Sequence, residues 1–114
     1  MNEKTTAITQ NLVSELRRGT LVLSVLSRLK QEQYGYSLKQ CLTEEGIDID
    51  QGTLYPLLRR LEKQGLLDSD WSVEENRPRR YYKLNETGVT VLEELTAAWK
   101  EMVSLVDKLL EKED

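Results

Sequence analysis

The fold is decided by one segment, residues 50–65, which reads Asp50-Gln51-Gly52-Thr53-Leu54-Tyr55-Pro56-Leu57-Leu58-Arg59-Arg60-Leu61-Glu62-Lys63-Gln64-Gly65. Its four interior leucines recur at the spacing of an amphipathic helix, which places them on one face. Asp50 is a typical N-cap, because its carboxylate can accept the free backbone N–H groups of the first turn, and Gly65 is typical of a helix end. The segment therefore predicts a helix from Asp50 to Gln64, in which Pro56 is expected to bend the first turns.

Two further helices are predicted before this segment. Apolar residues at helical spacing predict one helix from Leu12 to Leu29, with two apolar faces that indicate two packing partners. The residues from Gln31 to Gly35 end that helix. A short second helix, from Tyr36 to Glu45, is closed by Gly46. The segment quoted above is thus the third helix.

A hairpin and a long helix are predicted after it. Residues 66–71 and 79–84 are typical of short strands, and the polar residues 72–78 between them predict a loop. We expect this hairpin to be the only β structure. A helix then runs from Glu86 to about Glu111, and six of its apolar residues alternate spacings of three and four, as in a coiled-coil seam. These six residues, called the seam below, are Leu92, Leu95, Trp99, Met102, Val106 and Leu109.

Length and composition exclude several classes of protein. A chain of 114 residues and 13.2 kDa is the size of one domain. It has one cysteine, Cys41, and no histidine, which argues against a disulfide framework, a zinc site and the Ser-His or Cys-His systems of nucleophilic catalysis. We therefore expect no catalytic residues, no metal and no cofactor. The absence of an apolar leader or membrane-length apolar run predicts a cytoplasmic protein with no membrane association.

The charge is unevenly distributed along the chain, whose net charge is −4. Residues 51–84 hold seven basic and five acidic side chains, whereas residues 85–114 hold three basic and eight acidic ones. Affinity for a polyanion depends on the local field rather than on the net charge. The third helix and the hairpin are therefore the candidate surface for nucleic acid, and the acidic last helix is expected to lie away from it.

Three helices followed by a hairpin form the winged helix-turn-helix arrangement, in which the third helix enters the major groove and the hairpin is the wing. The sequence also resembles the PadR family of transcriptional regulators, named for repression of phenolic acid decarboxylase genes. The resemblance covers roughly residues 16–112. It is carried by Arg18-Gly19-Thr20-Leu21, Gly35-Tyr36, Gly52-Thr53-Leu54-Tyr55-Pro56-Leu57-Leu58-Arg59-Arg60-Leu61-Glu62, Gly65-Leu66 and Arg79-Arg80-Tyr81-Tyr82-Lys83-Leu84.

The resemblance implies a homodimeric repressor that binds a palindromic DNA operator through the third helix and the wing. We expect a mainly α fold with a small β-hairpin. In it, residues 1–84 form the winged helix-turn-helix domain with its N-terminal helix, and residues 85–114 form a long C-terminal dimerisation helix, the two making one compact unit. A single helix after the wing resembles the short PadR subfamily.

The candidate DNA-binding residues are polar or basic and lie on the third helix and the wing: Gln51, Thr53, Tyr55, Arg59, Arg60, Lys63, Arg77, Arg79, Arg80 and Lys83. A solvated helix face is the plainer alternative. Glu62 is a candidate partner that would occupy Arg60. Strand alternation also separates Arg79, Tyr81 and Lys83 from Arg80 and Tyr82, so these side chains cannot all face DNA.

The candidate dimer-interface residues are the six seam residues together with one apolar face of the first helix: Leu12, Leu16, Leu23, Leu92, Leu95, Trp99, Met102, Val106 and Leu109. Trp99 has two interpretations of about equal weight. It is either a plain core residue of the dimer or, beside its symmetry mate, part of a flat apolar slot for a planar aromatic effector.

Two other classes of function stay open at this point. A winged helix can act as a protein-interaction module without sequence-specific DNA binding, which would leave the cations of the third helix without partners. An enzyme would need carboxylates that converge in a cleft, and the pair Glu44-Glu45 falls at a helix end instead. Both rank below the DNA-binding regulator.

Overall fold

A computed structural model describes residues 2–74 and 76–112 of the chain. These residues form five α-helices: α1 (Glu3–Arg18), α2 (Leu21–Ser27), α3 (Gly35–Glu44), α4 (Gln51–Lys63) and α5 (Glu86–Glu111). They also form one antiparallel sheet of three strands, in the order β1 (Gln33–Tyr34), β3 (Arg77–Leu84) and β2 (Leu67–Glu74). The mainly α winged-helix fold class is confirmed. None of the helices in the described ranges is long and apolar enough to span a membrane.

The predicted single helix from Leu12 to Leu29 is wrong, because the chain forms two helices there. α1 ends at Arg18 and α2 begins at Leu21. At the break, both the backbone N–H and the hydroxyl of Thr20 donate to the carbonyl oxygen of Arg17, at 3.0 and 2.9 Å. This turn satisfies carbonyl groups that would otherwise continue the helical ladder.

The second and third helices are confirmed to within one residue at each end. Asp50 caps α4 as predicted, because its Oδ1 accepts from the backbone N–H of Thr53 at 2.8 Å. Gly65 ends α4 with a φ of 87°, a left-handed conformation that glycine adopts without the steric cost of a Cβ. The leucine pattern sets the orientation of α4, since Leu54, Leu58 and Leu61 are buried in the core.

The sheet differs from the prediction in two ways. The wing strands β2 and β3 continue their pairing through Ser72↔Arg79 and Val73↔Pro78, so most of the predicted loop over residues 72–78 is strand, and residue 75 lies outside the described residues. The hairpin is also not the only β structure, because β1 pairs with β3 at Tyr34↔Tyr81. The short β1 uses the backbone groups on the edge of β3 that β2 leaves open.

The core lies between α2, α3, α4, the base of the wing and the first turns of α5. Gly88 allows α5 to approach closely, because a Cβ at this position would overlap the carbonyl oxygen of Leu66. Leu92 is buried and Leu95 packs partly against the core. Leu92, predicted to lie in a dimer interface, therefore packs within its own chain, and Leu23 also packs partly against this core.

Beyond this core, two helical segments are exposed. All residues of α1 are described, none of them is buried, and all except the half-buried Thr6 and Val13 are exposed. Residues 99–112, which include the C-terminal half of α5, are likewise exposed. Both segments carry large apolar side chains on their surfaces, which are Ile8, Leu12, Leu16, Trp99, Met102, Val103, Leu105, Val106, Leu109 and Leu110.

Candidate nucleic-acid interface

The α4 helix presents a continuous polar face to solvent. Its leucines hold the opposite face in the core, and the Asp50 cap fixes the position of its first turn. Seven residues of α4 are exposed on the outer face, namely Gln51, Gly52, Thr53, Pro56, Arg59, Arg60 and Lys63. Arg59 and Arg60 make no hydrogen bond or ion pair with the described residues. Their guanidinium groups remain available to an anionic partner.

Tyr55 is half-buried, unlike the other predicted contacts on α4. Its ring lies against the backbone of Gly35, at the start of α3, where a Cβ would overlap the ring. The glycine of the Gly35-Tyr36 pair is therefore required by the packing of Tyr55. This contact sets the spacing between α3 and α4, which are the two helices of the helix-turn-helix.

The outer face of the wing carries the remaining cations in the predicted alternation. Arg77 and Lys83 are exposed. Arg79 lies half-buried on the same face, with its guanidinium carbon 4.5 Å from the centre of the Tyr34 ring. A cation over an aromatic face is held by the ring quadrupole, which limits the side-chain freedom of Arg79 before any ligand binds. The β1 strand therefore helps to position a wing cation.

Arg80, predicted to contact DNA, instead points to the inner face of the wing. Its Nη2 lies 2.7 Å from Oε1 of Glu62, and its Nε donates to the Ser69 hydroxyl at 3.0 Å. Ser69 donates in turn to the other carboxylate oxygen of Glu62. The guanidinium also lies over the rings of Trp71 and Tyr82, at 5.8 and 5.6 Å. These contacts engage the Arg80 guanidinium within its own chain, away from the outer face that carries Arg79.

The ion pair between Arg80 and Glu62 also shows that Glu62 is not the partner of Arg60. The sequence makes Glu62 a candidate partner of Arg60, but the Glu62 carboxylate binds Arg80 and Ser69. Arg60 consequently stays exposed on α4. Tyr82, beside this group, has a pKa raised above its ordinary 10.0 by burial, an effect that the neighbouring Arg80 guanidinium partly offsets.

An open cleft of about 390 Å³ separates the middle of α4, at Tyr55 and Arg59, from the wing. Aromatic and basic side chains line it, including three aromatic residues that sequence analysis did not single out for DNA: Tyr34, Tyr36 and Trp71. The Tyr34 and Tyr36 rings are stacked with their centres 6.5 Å apart. The Gly35-Tyr36 pair, one of the motifs of the family resemblance, could have indicated Tyr36. No local sequence pattern indicates Tyr34, because its position depends on the pairing of β1 with β3.

The candidate dimer-interface residues fall into three groups according to their exposure in the single chain. Leu12, Leu16 and the seam residues from Trp99 onward are exposed, whereas Leu23 and Leu95 are half-buried and Leu92 is buried. Ile8, which was not among the candidates, is also 50% exposed and lies one helical turn before Leu12. Its signal was the four-residue spacing of Ile8, Leu12 and Leu16, which puts all three on one face of α1.

Trp99, the candidate ligand contact, is 43% exposed on the α5 surface. It stands four residues after Leu95, at the point where α5 leaves the core of its own chain. Among residues 2–74 and 76–112, no group of acidic and cysteine side chains is placed to hold a metal ion.

Comparisons with known proteins agree on one group of relatives. A family model described as "Transcriptional regulator PadR-like family" matches residues 22–94. The crystal structure of a PadR family transcriptional regulator from Eggerthella lenta DSM 2243 is 46% identical, with a TM-score of 0.94, and the match covers 98% of this chain and 100% of that one. A PadR-like transcriptional regulator from Bacillus cereus strain ATCC 14579 is 29% identical, with a TM-score of 0.77, and the match covers 87% of this chain and 99% of that one. The transcriptional regulator Rv3488 of Mycobacterium tuberculosis is 37% identical over 89 residues, which are 77% of this chain and 83% of that protein.

Proposed function

Since the chain belongs to the transcriptional regulator PadR-like family, we propose that this transcriptional regulator is a homodimeric repressor that binds a palindromic operator through α4 and the wing. The observation that carries the proposal is the exposed basic face of α4 beside the cations Arg77, Arg79 and Lys83 of the wing, in a chain whose net charge is −4; the outer face of the wing also carries Asp68 and Asp70. Repression follows where the operator overlaps a promoter, because the bound dimer excludes polymerase.

The DNA contacts divide by chemistry. On α4, Gln51 and Thr53 are assigned to base edges, since the N-terminal part of a recognition helix reaches deepest into the major groove. Arg59, further along the helix, is assigned to a base edge because of its side-chain chemistry. The bidentate guanidinium of Arg59 suits a guanine. The other basic side chains are assigned to phosphates, which set affinity and register without reading sequence. These are Arg60, Lys63, Arg77, Arg79 and Lys83. Tyr55 borders the cleft and is assigned to a phosphate at its edge.

The dimer is assigned to the exposed part of the seam and to the apolar face of α1. Trp99, Met102, Val106 and Leu109 stand between 43% and 70% exposed in the single chain, a large apolar surface for a soluble monomer. Residues 85–114 also hold eight acidic and three basic side chains, so they are repelled from DNA. The dimerisation helix therefore lies on the far side from the operator and places two α4 helices roughly 34 Å apart.

The effector site is assigned to Trp99 and its symmetry mate. Two half-exposed indoles facing across a twofold axis would flank a flat apolar slot that suits a planar aromatic compound. Release from DNA requires that the compound bind the DNA-incompetent dimer more tightly, with typical couplings of about 1 to 3 kcal/mol. Spreading of α5 would change the spacing of the α4 helices and so supply that difference.

The test uses a duplex selected from a random pool by the wild-type protein and a scrambled duplex of the same composition. Arg59→Ala should lower affinity for the selected duplex by about 1 to 3 kcal/mol while leaving the scrambled duplex nearly unchanged. Arg79→Ala should weaken both duplexes equally and lower the slope of log affinity against log salt by about 0.9. Lys100→Ala on α5 removes the same charge far from α4 and is the control. Wild-type affinity and salt slope in both arginine variants would refute the assigned DNA surface.

A further inference from the structure

The wing is attached to α4 by a polar bridge formed by Glu62, Ser69 and Arg80. Each member contacts the other two: Arg80 binds Glu62 at 2.7 Å and Ser69 at 3.0 Å, and Ser69 donates to Glu62. The three residues come from α4, β2 and β3 respectively. The bridge therefore joins the last turn of α4 to both strands of the wing.

The bridge stands at the limit of the buried part of the hairpin. Leu67, Tyr82 and Leu84, at the base of the wing, are buried in the core. Beyond Ser69 on the same face of β2, Trp71, directly opposite Arg80, is 66% exposed and Val73 is 72% exposed. Between this part of the wing and the middle of α4 lies the open cleft described above. The bridge thus joins the hairpin to the last turn of α4 at the point where the inner face of the wing becomes exposed.

The geometry of the bridge resists bending of the wing. The Arg80 guanidinium is planar and donates to two different residues, and it lies over the rings of Trp71 and Tyr82. A planar fork with several partners has few alternative rotamers that keep all its interactions. The side chains of Arg80 and Glu62 are only 36% and 26% exposed, so solvent screens the pair less than a fully exposed one.

From these interactions we propose that Glu62, Ser69 and Arg80 are positioning residues for DNA binding, which hold the wing at the angle where its outer cations and α4 engage one duplex together. This inference rests on the proposed function for its effect on DNA. Arg77, Arg79 and Lys83 lie on the outer face of the wing. The distance from each of these cations to a DNA phosphate therefore depends on the angle between the hairpin and α4. The pairing of β1 with β3 also restrains the hairpin, but without the bridge its tilt relative to α4 varies more widely, and the wing cations then reach phosphates at a greater entropic cost.

For Glu62→Gln, the proposal predicts a change in DNA affinity opposite in sign to the change expected from the net charge alone. Glu62→Gln removes a negative charge from the DNA-facing half of the molecule, and charge alone would raise DNA affinity. The positioning role predicts that affinity for the selected duplex falls about tenfold, since coupled networks of this kind are typically worth that much. It also predicts that the salt slope falls by about 0.9 for each wing cation that no longer reaches a phosphate. Ser69→Ala, a milder change, should act in the same direction.

Asp70→Asn is the matched control. It removes one negative charge from the same strand, one residue after Ser69, on the exposed opposite face. This variant should bind the selected duplex as tightly as wild type or more tightly, with the salt slope of wild type. If Glu62→Gln and Ser69→Ala behave like Asp70→Asn, the bridge has no positioning role and the inference is overturned.

Amide hydrogen exchange without DNA separates this inference from the proposed function. Glu62→Gln and Ser69→Ala should speed exchange of the β2 and β3 amides beyond the bridge, while the amides of α4 keep the wild-type rates and Asp70→Asn exchanges like wild type throughout. Unchanged exchange in the wing of both bridge variants would overturn the inference even if the wild type binds DNA. If the wild type selects no duplex but the wing exchanges faster in these variants, the proposed function fails while the positioning of the wing stands.

Discussion

Leu109→Ala tests the dimer assignment quantitatively. Leu109 is 70% exposed in the single chain and lies on the seam, near the end of α5. The substitution removes three carbon atoms, and burial of each contributes about 0.8 kcal/mol. Because about seven-tenths of the side chain is available to be buried and the twofold axis doubles the effect, the dimer should be destabilised by about 3 kcal/mol. The dissociation constant of the dimer should therefore rise roughly a hundredfold.

Sedimentation equilibrium over a dilution series measures this change directly. Val73→Ala is the control, since Val73 is 72% exposed but lies on the wing, and it should leave the dimer constant unchanged. Circular dichroism at high protein concentration should show the same helix content for Leu109→Ala as for wild type. An unchanged dimer constant in Leu109→Ala, or an equal change in Val73→Ala, would refute the assignment of the seam to the interface.

Two further predictions address the core and the effector site. Gly88→Ala should lower the free energy of unfolding by about 2 kcal/mol in urea denaturation, because its Cβ would overlap the Leu66 carbonyl oxygen, whereas Gly19→Ala, with 3.8 Å to its nearest neighbour, should not. A planar aromatic effector should quench tryptophan emission in wild type and in Trp71→Phe but not in Trp99→Ala. Its affinity should also fall when the selected duplex is bound, and equal affinities with and without DNA would remove the regulatory role.

The parts of the fold that sequence predicts well are those fixed by local patterns. The leucines of α4, its Asp50 cap and the glycine after it agree on one helix, so its position is predicted to within a residue. The break between α1 and α2 escapes prediction because the apolar spacing continues across Gly19 and Thr20. There the helix is ended by hydrogen bonds of Thr20 that no periodicity reveals. β1 is not predicted for another reason. A strand of two residues is too short to show an alternating pattern, and it forms only by pairing with β3, which lies far along the chain.

The candidate interface shows the same division between local and distant information. Strand alternation correctly separates the face of Arg79 from that of Arg80. It cannot reveal that Glu62, eighteen positions before Arg80, lies on the inner side, because that pairing depends on how α4 packs under the wing. In the same way, the seam pattern does not show that Leu92 belongs to the core of its own chain while Leu109 stands free of it.

Selection of duplexes from a random pool by the purified wild-type protein tests the central claim most directly. The account predicts enrichment of one palindrome whose half-sites are centred about one helical turn, roughly 10 base pairs, apart, because two α4 helices related by a twofold axis read them. Disappearance of that consensus with Arg59→Ala protein would attribute the reading to α4. A pool that stays random, or one that converges on a single half-site without symmetry, would contradict the account.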